Sequence, residues 1–215
     1  MSKKNISQEK IIQAFLSSAF DKSAGGTSLA DVADSLEIKK ASLYNHFESR
    51  EVMYAASLEY CRKEIGNVEF ITSKQAESLN SGKMTLVNVF KKAIARYFGL
   101  FDSEPLFKMY VFVHTEQYFN ANALKIVQNQ AEKVTEDIKT VLTYFIKDKS
   151  EKEIKDIATA VSNLVLQLLD SYISQRKETV RLNPETGAGS LFELPSDNNI
   201  INKASRLVES FLNCL

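Results

Sequence analysis

Along most of the chain, apolar residues recur at steps of three and four, the spacing that lines them up on one face of an α-helix. Ile11, Ile12, Phe15, Leu16, Ala19 and Phe20 form a first stripe, and Gly25-Gly26 behind it predicts a left-handed helix end. The chain restarts at Thr27-Ser28-Leu29-Ala30-Asp31, where Ser28 and Asp31 have the spacing of a capping box. Leu29, Val32, Ala33 and Leu36 give a second helix of about two turns. After Glu37-Ile38-Lys39, a third helix carries Leu43, Tyr44 and Phe47, and a fourth is predicted over 49–65. The polar stretch 66–82 reads as a loop.

The later stripes are longer. Leu86, Val87, Phe90, Ile94, Tyr97, Phe98 and Phe101 predict a helix that stops before Pro105, because a proline disfavours helical geometry in the residue before it. A shorter helix is expected over 106–114. Leu124, Val127, Ala131, Val134, Ile138, Val141, Leu142 and Phe145 mark a long one. Ser150 and Glu153 form a second capping box. The helix it opens carries Ile154, Ile157, Ala158, Val161, Leu164, Val165, Leu168, Leu169, Tyr172 and Ile173 on a face broader than one neighbour requires, so two sets of partners are expected. A loop with Pro184 and Pro195 precedes a final helix bearing Ile200, Ile201, Ala204, Leu207, Val208, Phe211 and Leu212. The fold class is all-α.

Composition agrees. Of 215 residues, 44% are hydrophobic and 25% charged, with 7 Gly and 3 Pro, which disfavours disordered and turn-rich β readings. Charge changes the picture more: 27 Lys plus Arg against 27 Asp plus Glu means that any contact with a polyanion rests on a local patch. Cys61 and Cys214 have no CxxC spacing, as expected for a reducing cytoplasm. Met1-Ser2-Lys3-Lys4 before the first apolar stripe mimics a secretory signal, but Glu9, Lys10 and Gln13 break the pattern. The charge-free stretch 157–169 falls short of the ~18 residues that span a bilayer, so no membrane association is predicted.

Catalytic signatures are missing from the sequence. There is no GxxxxGK, GxGxxG, HExxH or GxSxG, and His46 and His114 are the only histidines. His114 and Glu116 are too few for a metal site. The chain is therefore expected to be no enzyme and to carry no catalytic residue, metal or cofactor. An enzymatic alternative would use His114 and Glu116 within an aromatic pocket.

Residues 27–47 hold the sharper signal. Two short helices joined by a tight turn, the second polar on one face, are what a helix-turn-helix needs: the first braces while the second enters the major groove. Leu29, Val32, Ala33, Leu36, Ile38, Leu43 and Phe47 point inward in this reading. Lys39, Lys40, Ala41, Ser42, Tyr44, Asn45 and His46 then face the groove. Lys40 suits guanine O6/N7 and Asn45 suits adenine N6/N7, while Thr27, Ser28, Tyr44, His46 and Arg50 are placed to hold phosphates. The alternative is a helical hairpin with a solvated polar face.

Thr27-Ser28-Leu29-Ala30-Asp31-Val32-Ala33, followed by Ala41-Ser42-Leu43-Tyr44-Asn45-His46-Phe47-Glu48-Ser49-Arg50-Glu51, closely resembles the DNA-binding signature of the tetracycline-repressor-like (TetR) family of transcription regulators. The match covers roughly residues 6–60. The resemblance implies about nine helices: an N-terminal DNA-binding domain over 1–64 and a C-terminal effector-binding and dimerisation domain over 65–215. It further implies a homodimer joined through the helices at 150–176 and 200–212, which explains the broad face noted above. Such a dimer would grip palindromic double-stranded operator DNA and release it on binding a small, largely apolar effector. Tyr97, Phe101, Phe107, Tyr110, His114, Gln117 and Tyr118 are the expected effector-pocket residues. Two departures stand out: Glu37 occupies a turn position where the family usually has Gly, and Lys39 replaces a small hydroxyl residue at the start of the third helix. A helical small-molecule-binding protein or enzyme without sequence-specific DNA binding is the alternative function.

Overall fold

The computed structural model describes residues 6–80, 82, 84–183 and 197–213, so the expectations for Met1 to Lys4, Pro184, Pro195 and Cys214 lie outside the described residues. Among those described there are ten helices and no strand: α1 (Gln8–Gly26), α2 (Leu29–Ser35), α3 (Lys40–Leu43), α4 (Arg50–Gly66), α5 (Ser73–Asn80), α6 (Leu86–Phe101), α7 (Leu106–Glu116), α8 (Ala121–Phe145), α9 (Glu151–Leu182) and α10 (Asn198–Leu212). No helix among them is long and apolar enough to cross a membrane.

Local chemistry starts most of these helices. The hydroxyls of Ser7, Ser28, Ser49, Thr85 and Ser150 each accept a backbone N–H of the following turn, and Asp197 does the same for α10. Both capping boxes form as the spacing predicts: the side chains of Asp31 and Glu153 reach back to the amides of Ser28 and Ser150.

Three expectations need correction. The stretch 66–82 is not all loop, because α5 forms within it, with the Thr72 hydroxyl accepting the Gln75 amide. The left-handed residue at the end of α1 is Ser23 (φ 67°), not Gly25 or Gly26. The third helix is a single α-turn: beyond Leu43, the bonds from Asn45 to the Ser42 carbonyl and from His46 to the Leu43 carbonyl tighten the chain into turns. Tyr, Asn and His there are weak helix formers, and a one-turn helix has no length over which to recover its nucleation cost.

The chain divides into two compact units. The first comprises residues up to Asn67 and Pro105–Val127, that is α1 to α4, α7 and the start of α8. The expected boundary at 64/65 lies close to one chain crossing, at 67/68, but the chain crosses again at 104/105 and 127/128. Inside this unit Ile11, Phe15 and Leu16 of α1, Val32 and Ala33 of α2, Leu43, and Met53, Leu58 and Cys61 of α4 are buried. Phe112 of α7 meets the rings of Phe15 and Tyr54 edge-on, and Phe107 meets Phe20. The Tyr54 hydroxyl donates to Glu116 at 2.7 Å, adding a polar tie between α4 and α7.

The second unit comprises Val68–Glu104 and the chain from Gln128 onward. Phe70, Phe90, Tyr97 and Phe101 form an aromatic core, and α6 packs against α9 and α10. Asp137 of α8 accepts the amides of Phe70 and Ile71 at 2.9 and 3.0 Å, while Arg96 of α6 donates to the carbonyls of Glu69 and Phe70. Segment 69–71, which has no helix of its own, is thereby hydrogen-bonded on both sides. Arg176 pairs with the buried Asp102 at 2.8 Å, and burial pushes the nearby Tyr172 phenol up to about 12.

Candidate nucleic-acid interface

The α2–α3 connection is set by backbone chemistry. At the end of α2 the Ile38 amide bonds the Ala33 carbonyl and the Glu37 amide bonds the Asp34 carbonyl, the paired closure of a Schellman motif. Such a closure places its central residue in left-handed geometry, and Glu37 has φ 56°. Lys39 begins α3 with extended backbone and no side-chain cap, as its replacement of a hydroxyl residue predicts.

The segment from Lys39 to Phe47 is short and amphipathic. Leu43 and Phe47 are buried, whereas Lys39, Lys40, Ala41, Tyr44 and Asn45 are exposed and Ser42 and His46 half-buried. Tyr44 stands 51% exposed. The exposed set thus contains two ammonium donors, an amide and a phenol on one rigidly backed turn, suited to base edges and phosphates.

The flanking residues are occupied differently. Thr27 is 1% exposed and its hydroxyl donates to the Ser23 carbonyl at the α1–α2 junction. The Ser28 hydroxyl is engaged with Asp31, whose carboxyl is held well below the usual carboxylate range by Lys22 and by Ser28. The Arg50 guanidinium donates to the carbonyls of Ala24 and Thr27. Gln8, which the sequence did not single out, donates its amide to the His46 carbonyl at 3.0 Å. No periodicity marks such a bond, because it joins residues far apart in the chain.

The expected effector residues do not fall together in one unit. Tyr97 and Phe101 are buried in the second, where their rings meet at 5.0 Å and Gln130 donates to the Tyr97 hydroxyl. Phe107, Tyr110, His114, Gln117 and Tyr118 belong to the first. There Tyr110 and His114 stack at 3.7 Å, and Gln117 donates to the His114 carbonyl. α7 ends at Glu116, which leaves Tyr118 on the following turn, 80% exposed. Among the described residues no group of three or more His, Cys, Asp or Glu is placed to hold a metal ion.

Fold and segment together form a helix-turn-helix with an all-helical companion region. Residues 11–56 match the model of the bacterial regulatory proteins of the tetR family. The chain is 29% identical over 166 residues to IcaR of Staphylococcus aureus, described as the HTH-type negative transcriptional regulator of the biofilm operon icaADBC; the match covers 77% of this chain and 81% of that one. IcaR of Staphylococcus epidermidis is 41% identical over 54 residues, 25% of this chain and 29% of the relative. Two solved structures share the fold: a TetR-like transcriptional regulator from Rhodococcus sp. RHA1 (TM-score 0.61, 13% identity, 99% of each chain) and a TetR transcriptional regulator from Legionella pneumophila (TM-score 0.55, 18% identity, 96% and 98%). The chain thus resembles the tetR-family regulators over its N-terminal helices and is similar to IcaR over most of its length.

Proposed function

We propose that the protein is a cytoplasmic, homodimeric repressor that binds a palindromic operator and releases it when a small, largely apolar effector binds its C-terminal region. The observation that carries the DNA-binding part is the exposed row Lys39, Lys40, Ala41, Tyr44 and Asn45 backed by buried Leu43 and Phe47. Two such segments would read half-sites about 34–36 Å apart, or a multiple of that, on one face of the duplex. Lys40 and Asn45 are assigned to base edges, with Lys39, Ala41, Ser42, Tyr44 and His46 completing the surface and Tyr44 on phosphate. Repression is supported by likeness to IcaR, a negative regulator by its name.

Dimerisation through α9 and α10 is supported by their outward faces. Ile157, Ala160, Leu164, Leu168 and Ser171 of α9 are exposed or half-buried without a charge among them, and Leu207 and Phe211 of α10 are 44% and 37% exposed. A two-fold axis would pair these self-complementary strips. The effector reading is supported by the likeness to the tetR family.

Selection of bound duplexes from a random pool tests the function directly. The expected product is a palindrome whose half-sites are spaced by about one helical turn or a multiple. Recovery of sequences with no common motif, together with a flat dependence of affinity on salt, would remove the DNA-binding reading.

A further inference from the structure

The recognition segment is too short to place itself. Its single α-turn lacks a side-chain N-cap, so neighbouring elements must decide where Lys40 and Asn45 point. One of them, the α1–α2 junction, is unusual. The backbone leaves helical geometry at Ser23 (φ 67°, ψ 164°), a region nearly reserved for glycine, and folds back so that the Thr27 amide bonds the Ala24 carbonyl at 3.2 Å. Such a conformation persists only where its surroundings over-determine it. Arg50, the first residue of α4, supplies that constraint: its Nε donates to the Thr27 carbonyl at 3.0 Å and a terminal nitrogen donates to the Ala24 carbonyl. One planar cation therefore spans both ends of the junction while belonging to the helix after the recognition segment. At the far side, Gln8 at the start of α1 donates to the carbonyl of His46, where the segment ends.

We propose that Arg50 and Gln8 are positioning residues for DNA recognition, fixing the segment 40–46 against α1, α2 and α4, and that Arg50 makes no phosphate contact. The proposal rests on the DNA-binding reading above. Two carbonyls three residues apart need the fixed fork of a guanidinium; a lysine ammonium keeps the charge but not the fork.

The test uses the full-length protein with a duplex recovered by random-pool selection and a scrambled duplex of equal length. Affinities are measured by fluorescence anisotropy across a salt series, beside thermal midpoint and helicity. Arg50→Lys and Arg50→Gln are expected to lower the preference for the selected duplex about tenfold, the size of roughly one mismatched base pair, with the slope of log affinity against log salt unchanged. Gln8→Ala is expected to act in the same direction, and it carries the test with Arg50→Lys if Arg50→Gln fails to fold. A phosphate-binding Arg50 predicts otherwise: in Arg50→Gln the slope would shrink by about 0.9 for each phosphate no longer neutralised, and Arg50→Lys would behave as wild type because lysine serves a phosphate as a point charge. Either result overturns the proposal, as does unchanged preference in both Arg50→Lys and Gln8→Ala. If the wild type enriches no duplex at all, the DNA-binding reading has failed and the positioning roles fall with it.

Discussion

Glu37 occupies the one position of the α2–α3 turn that a Schellman closure forces into left-handed geometry, and its Cβ crowds the backbone there. Replacing it with glycine removes that clash at some cost in unfolded-chain entropy, so Glu37→Gly is expected to raise stability by roughly 0.5–1 kcal/mol. A urea midpoint that falls would show the turn to be unstrained. A few residues on, exposure separates two kinds of side chain. Asn45→Ala and Lys40→Ala remove groups that face outward from a buried footing, and each is expected to relax base preference at one position of the half-site, costing about 1–3 kcal/mol on the preferred duplex. Unchanged selection products from Asn45→Ala would mean that the segment meets DNA in another register.

Among the elements, segment 69–71 depends most on side chains from elsewhere. Asp137 satisfies two of its amides, and Arg96 satisfies carbonyls of Glu69 and Phe70. Asp137→Ala leaves both amides without that acceptor and is expected to destabilise the protein by on the order of 1–3 kcal/mol. Asp137→Asn keeps an oxygen for them and sheds the charge that burial disfavours, so it should stay close to wild type. Equal losses in the two variants, measured by urea denaturation at neutral pH, would place the importance of Asp137 in its charge rather than in these bonds. Helix starts behave differently, because a cap needs only residues within one turn. That is why both capping boxes were legible in the sequence, while α3 came out shorter than its apolar spacing suggested and α5 was hidden in a polar stretch.

At the scale of the whole molecule, two copies are required before a palindrome can be read. Leu207→Glu with Phe211→Glu places two carboxylates on the outward face of α10, where a self-paired surface would have to bury them beside their own images. The double variant is expected to sediment as a single 24.2 kDa chain and to lose most of its affinity for the selected duplex while keeping its helicity. A species of twice that mass would move the dimer interface elsewhere. Balanced charge bears on the same scale: with 27 groups of each sign, weak non-specific affinity is expected, and occupancy of a site must come from base contacts and from joining two half-sites.

The sequence by itself determined the all-α class, the extent of most helices, the helix-turn-helix and which of its faces is apolar, because these depend on periodicity and on caps that act within a turn. It also carried the family resemblance, in Leu43-Tyr44-Asn45-His46-Phe47 and the residues around it. The tertiary structure decided what those local rules cannot see. It tied Arg50 to the α1–α2 junction, joined Gln8 to the His46 carbonyl, and grouped α7 with α1 to α4 rather than with its neighbour α6. The physical reason is common to all three. Each is settled by where distant backbone carbonyls or apolar faces find partners, and a hydrogen bond or a buried ring spanning tens of residues leaves no period in the chain.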